Sequence, residues 1–242
     1  MVAQLYISNF GGHMVFSSLV FLLRFLPVTL LLYFSVPGMK AKNAVLIAAS
    51  LFFYAWGEPV WVILLIFSSV IDYICGGFAG KYANTPKGRI FLIISLVLNF
   101  GLLGFFKYGG FIVSNLNALL GLNIPDPGVS LPIGISFYTM QTVSYTIDAY
   151  RGKAKVQKSF ARFLLFVSMF PQLVAGPIVR YTDVEDQLAE RTVTMQGIYE
   201  GITRFVVGLA KKTLIANYAG SVAVKYLDGD LLGMSAPEVW FG

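Results

Sequence analysis

The sequence predicts an all-α protein, a polytopic transmembrane helical bundle of about 6–8 spans with additional interfacial or re-entrant helices. Three observations lead there. Hydrophobic residues make up 57% of the 242 positions and charged residues only 12%, roughly half the ~25% charged fraction of an ordinary soluble domain. Several apolar runs approach the ~20 residues that cross a bilayer. Lys and Arg are concentrated in alternate connections between those runs, as positive-inside topology requires.

The first apolar run, Val15–Val36, ends at Pro37-Gly38, and Arg24 interrupts it. With no basic stretch before it and with its length, it does not read as a cleavable signal peptide. Ala44–Trp56 is a short candidate that must tilt or borrow flanking residues. Gly57-Glu58-Pro59 separates it from Val60–Phe78. Ile90–Phe106 is a further span. Gly110–Leu122, with Ser114, Asn115 and Asn117, is too short and too polar for a separate crossing and reads as an interfacial or re-entrant segment. Leu131–Ile147 follows. The next span, Phe163–Val179, should be broken by Pro171, Gly176 and Pro177, because proline removes a backbone donor and clashes with the preceding turn. Gly197–Lys212 has Ile198, Ile202, Phe205, Val206 and Leu209 at helical spacing and polar residues between them. It is expected to lie on the cytoplasmic membrane surface. Gly76/Gly80 and Gly197/Gly201 have the four-residue glycine spacing of closely packed helices.

Charge fixes the expected orientation. Lys40 and Lys42, then Lys81, Lys87 and Arg89, then Arg151, Lys153, Lys155, Lys158 and Arg162 fall on one side if the spans alternate, against Lys107 alone on the other. The basic loops are therefore expected in the cytoplasm and the N-terminus outside. This topology accounts for the net charge of +6, so no nucleic-acid partner is implied; membrane lipid is the expected surrounding.

The stretch Leu131–Gly152, LPIGISFYTMQTVSYTIDAYRG, is apolar enough to enter a membrane yet carries Ser136, Tyr138, Gln141, Ser144, Tyr145 and Asp148. Gln141, Ser144 and Asp148 recur at spacings of three and four, one stripe of a helix. Such a stripe should face protein or a water-filled path. Arg180, directly after the proline-broken span, is either a clamp for an anion or carbonyl or an arginine reaching the interface. Asp148 and Asp72 are the carboxylates within or beside spans. Each is either a functional group or half of an ion pair, Asp148 with Arg151 and Asp72 with a basic loop residue. Cys75 is the sole cysteine and His13 the sole histidine. The first reads as a small buried hydrophobe and the second as an ordinary exposed side chain. No phosphate-binding glycine loop, dinucleotide fingerprint, zinc-ligand cluster or nucleophile elbow is present, so neither a metal nor a bound cofactor is expected.

Leu131–Gly152 and Phe170–Tyr181, FPQLVAGPIVRY, closely resemble signature blocks of the membrane-bound O-acyltransferase family, in the branch that O-acetylates polysaccharides such as alginate. Weaker likeness extends to Phe52–Trp56 and Gly208–Lys212. The resemblance starts near Met14, which sets residues 1–13 apart as an N-terminal extension and makes 14–242 the N-terminal part of a single acyltransferase domain. It implies a ring of tilted helices around a tunnel in the bacterial cytoplasmic membrane. It implies transfer of an acyl group, acetyl in this branch, to hydroxyls of an extracytoplasmic polysaccharide. D-alanyl transfer to teichoic acid is the alternative within the family. The donor would be acetyl-CoA or an acyl-carrier thioester, and the partners periplasmic or extracellular acetylation proteins. Ser136, Gln141, Ser144, Asp148, Pro177 and Arg180 are the tunnel candidates. The family's catalytic histidine belongs to a later block and His13 matches no family motif, so no catalytic residue is assigned and the chain is expected to be inactive alone. From other classes, a transporter-like fragment would show paired broken helices, whereas one is visible here; a non-catalytic membrane scaffold is the further alternative.

Overall fold

A computed structural model describes residues 14–126, 128–173 and 178–227 together with 235, 237 and 240. His13, Gly176 and Pro177 lie outside the described residues. The described residues are helical and contain no strand. They divide into two compact units, one comprising Pro27–Arg191 and the other Val15–Leu26 with the chain from Thr192 onward.

The helices are α1 (Phe21–Ser35), α2 (Met39–Gly57), α3 (Trp61–Lys81), α4 (Pro86–Leu120), α5 (Ile135–Tyr150), α6 (Phe160–Ser168), α7 (Phe170–Leu173), α8 (Tyr181–Ala189), α9 (Met195–Ala210) and α10 (Asn217–Leu227). In α1 the first turn, Phe21–Phe25, is wound wide, and the Leu26 N–H reaches back to Phe21 O. Pro27 explains the widening: it has no N–H for the carbonyl four residues earlier, and its ring would strike that carbonyl in a regular turn. Arg24 lies on this wide turn and is exposed.

α3 and α4 are long and apolar enough to cross a membrane. α4 is 35 residues, about 52 Å at 1.5 Å per residue. Thr85 caps it by accepting the Gly88 N–H at 3.3 Å, and Pro86 occupies its first position, where an N–H would be unpaired anyway. Its outer face exposes Ile93, Val97, Phe100, Phe105, Phe111 and Ile112. A water-soluble protein buries such a row; lipid accepts it.

Two expectations are corrected here. Gly110–Leu122 is not a separate segment, because α4 continues unbroken through Leu120. The polar residues that suggested a break are satisfied locally. Ser114 Oγ and Asn115 Nδ2 donate to Phe111 O at 2.9 and 2.7 Å. Asn117 exchanges hydrogen bonds with the Ile124 backbone at 2.8 and 2.9 Å, fastening the loop after the helix. The second correction concerns the broken span. Its helix stops at Ser168, where Met169 takes a non-helical backbone, two residues before Pro171. Pro171 then sits in the first turn of α7, the place where a missing N–H costs nothing.

In the Pro27–Arg191 unit, α3, α4 and α5 pack on one another, α6 packs on α2 and α3, and α8 closes against α6. The core holds Tyr54, Leu65, Tyr138, Tyr145, Phe163, Phe166, Leu173 and Tyr181. α5 starts at Gly134, whose φ of +78° and close approach to Leu173 O, 2.7 Å from where a Cβ would stand, suit glycine alone. The loop from α5 to α6 is held from above by Lys155, which reaches Glu185 Oε1 and Asp186 Oδ1 at 3.5 Å. Those two carboxylates, Asp186 first, push the pKa of the Lys155 ammonium up. Gln157 bridges the same loop to the core: its N–H donates to Tyr145 Oη at 3.0 Å and its side chain to Tyr181 Oη at 2.8 Å. Burial, and then the neighbouring Tyr145, hold the Tyr181 phenol up at about 12.

In the other unit, α9 continues through a wide-wound stretch, Lys211–Ala216, into α10. The helix thus runs well past Lys212, where the amphipathic pattern stops in the sequence. Gly201 has no atom within 4 Å of an added Cβ, and Gly197 only its own capping residue Thr194. That glycine pair packs against no other helix among the described residues. Gly76 and Gly80 do pack, with Tyr145 and Thr146 facing the first and Val156 and Ala149 the second. Their spacing brings α3 close to α5 within the chain.

Candidate functional site

Two buried polar seams run beside α5. The first joins α3, α4 and α5 around Asp72, which is 0% exposed. Asp72 Oδ1 accepts from Ser95 Oγ at 2.6 Å and from Asn99 Nδ2 at 2.7 Å. Ser95 and Asn99 are one turn apart on α4, so both face the same partner. Ser95 Oγ is also 3.5 Å from Thr146 Oγ1 on α5. Asp72 Oδ2 is buried with no hydrogen-bond partner. The neighbouring Thr142 and Thr146 hydroxyls donate to the carbonyls of Thr139 and Thr142 at 3.2 Å.

The expected ion pair of Asp72 with a basic loop residue does not form. Asp72 sits mid-helix, nine residues before Lys81, roughly 14 Å along the axis, and faces two helices rather than the loop. The pair of Asp148 with Arg151 does not form either: the ion pairs among the described residues are both made by Lys155. Arg151 has already left α5 as its C-terminal cap, while the Asp148 carbonyl accepts from the Lys153 and Ala154 N–H groups at 2.8 and 3.2 Å.

The second seam joins α5 to the broken helix α6–α7. Where α6 stops at Ser168, its last carbonyls lose their helical partners. Gln141 supplies one, donating from Nε2 to Phe166 O at 3.0 Å and to Gln172 Oε1 at 3.2 Å. Phe170 N–H donates to Ser50 Oγ of α2 at 3.2 Å, and Tyr54 Oη to Ile133 O, just before α5, at 3.0 Å. Ser168 Oγ and Tyr138 Oη are buried here without a hydrogen-bond partner, an uncommon state for buried polar groups.

Of the residues singled out in the sequence, Gln141 is buried and tied to the broken helix. Ser136, Ser144 and Asp148 are half-buried, and Ser144 Oγ is satisfied by Gln141 O at 2.8 Å. Arg180 is exposed at the start of α8. The row that α5 buries is instead Thr139, Thr142 and Thr146. Its spacing of three and four was legible, but β-branched threonines pass for apolar filler. Ser95 and Asn99, four apart in an otherwise apolar run, were the readable signal for the Asp72 seam. Among the described residues no three His, Cys, Asp or Glu side chains gather as metal ligands. Ser95 and Asp72 are both 0% exposed, so their contact is closed to a substrate. This seam fastens helices.

The described residues define an all-helical membrane protein with buried polar seams between its helices. The chain is 40% identical over 217 residues to the probable alginate O-acetylase AlgI of Pseudomonas syringae pv. tomato, and 41% identical over the same length to that of Pseudomonas aeruginosa. Each match takes in 87% of this chain and 41% of the relative. The peptidoglycan O-acetyltransferase of Helicobacter pylori is 32% identical over 236 residues, 84% of this chain and 45% of the relative. The chain is a homologue of the alginate O-acetylases, in the branch of the membrane-bound O-acyltransferases that its motifs resemble. It spans less than half the length of these relatives. No family model and no solved structure matches it.

Proposed function

We propose that these helices form part of a membrane O-acyltransferase that moves an acetyl group to hydroxyls of an extracytoplasmic polysaccharide such as alginate. The 40% identity to alginate O-acetylases over 87% of the chain carries this reading. The enzyme would sit in the bacterial cytoplasmic membrane, with its N-terminus outside, its basic loops in the cytoplasm and about 6–8 crossings. The donor would be acetyl-CoA or an acyl-carrier thioester, and the partners would be periplasmic or extracellular acetylation proteins.

In this reading the second seam is a wall of the acyl-transfer path. A helix broken inside a membrane is tolerated where it is enclosed by protein or lines a cavity, and the Ser168 and Tyr138 hydroxyls stand there without partners. Neither seam holds a histidine, the side chain best suited to take the proton of the attacking hydroxyl near neutral pH. The match to a peptidoglycan O-acetyltransferase supports a second acceptor, the hydroxyls of a cell-wall glycan.

The test is an acetyl-transfer assay of the purified chain with acetyl-CoA and oligomeric alginate. We expect no turnover above the uncatalysed rate from these 242 residues alone. Turnover would contradict their role as a wall.

A further inference from the structure

We propose that the chain binds the phosphate headgroup of an anionic phospholipid in a basic cleft between the start of α2 and the α5–α6 loop. The cleft, of about 430 Å³, is lined by Lys40, Lys158 and Arg162 over a floor that includes Ala44, Ile47 and Ala161. No carboxylate lines it, and among the described residues none of the three cations takes part in an ion pair. The nearby acidic pair, Glu185 and Asp186, is engaged by Lys155. Three unneutralised cations converging on one concavity favour an anion that takes several charged hydrogen bonds at once.

The shape selects a lipid over a soluble phosphate. The cleft opens onto α2, where Ala48 and Phe52 follow Ala44 at four-residue intervals and are exposed. Small residues next to the cations, then an exposed ring, make an apolar strip along α2 beside a charged head site. A soluble phosphate has no use for the strip; an acyl chain lies along it. Basic pockets at the membrane boundary between helices suit such headgroups, and each cation there contributes an attraction worth about fivefold in binding.

The experiment is native mass spectrometry of the purified chain released from mixed micelles of phosphatidylglycerol and phosphatidylcholine. Phosphatidylglycerol should be retained about a hundredfold over phosphatidylcholine. The K158Q/R162Q variant should keep only about fivefold of that preference, whereas K81Q/K107Q, which removes two cations outside the cleft, should keep all of it. Equal retention of the two lipids by the native chain, or undiminished preference in K158Q/R162Q, would overturn the proposal. So would displacement of phosphatidylglycerol by millimolar inorganic pyrophosphate, which would assign the cleft to a soluble phosphate. If K158Q/R162Q melts early, K40Q alone provides the reading: about a fivefold loss of preference supports the site and an unchanged preference overturns it.

Discussion

Gly76→Val is expected to destabilise the chain by about 3 kcal/mol, near the top of the range for overpacking a close helix contact. A Cβ at position 76 would stand 2.5 Å from Tyr145 Cε1 and 3.1 Å from Cδ1. The ring cannot move aside. Tyr145 is 0% exposed, its hydroxyl accepts the Gln157 N–H, and its ring is packed on Phe163 and Tyr181 with centroids 4.9 and 4.8 Å away. α3 must therefore back away from α5, and Asp72, one turn earlier on the same face of α3, moves with it. Gly77→Ala is the control. Nothing lies within 4 Å of a Cβ at Gly77, and alanine favours a helix over glycine by about 1 kcal/mol. Thermal unfolding in detergent, followed by circular dichroism, should show a large fall in Tm for Gly76→Val and none for Gly77→Ala. Equal behaviour of the two would refute the assigned packing.

Asp72→Ala is expected to cost about 2–4 kcal/mol, because the Ser95 hydroxyl and Asn99 amide of α4 lose their shared acceptor on α3, in a place water does not reach. Asp72→Asn keeps an acceptor oxygen for both donors and should cost about 1 kcal/mol or less. The two variants differ in a way that a charge requirement would abolish. If the cluster needs a carboxylate, Asn fails with Ala; if it needs an acceptor, Asn is spared. The same unfolding measurement decides it, and equal losses in both variants would contradict the fastening role given to this seam.

Helix positions were largely readable because breakers do their work through backbone chemistry alone. Pro37-Gly38 and Gly57-Glu58-Pro59 fall where α1 and α2 end, and the Gly76/Gly80 spacing marked a true close approach. The sequence misled where a side chain could satisfy itself in two ways. Ser114, Asn115 and Asn117 marked an interfacial or re-entrant segment, yet their hydrogen bonds return to the carbonyls of α4 and of the loop after it. Pro171 looked like the first of the breaks, yet the helix already stops at Met169, so that the proline opens the next helix. The site was half legible. Gln141 stood out because a buried amide on an apolar helix has few explanations, and it does bind the broken helix. Asp72 was noticed but given the wrong partner, since the neighbours that bind it, Ser95 and Asn99, come from more than twenty residues away. Pairing across that separation depends on how α3 and α4 rotate against each other, which residue spacing within each helix does not specify.

The central claim is that these helices serve polysaccharide O-acetylation. Its most direct test is the ester content of extracellular and cell-wall glycans, measured by NMR before and after in-frame removal of the codons for residues 14–242 from the host. The account predicts that O-acetyl groups disappear from one polymer while its yield and sugar composition stay the same, and that supplying the intact gene in trans restores them. Unchanged acetylation of every polymer, or loss of D-alanyl esters in its place, would contradict it.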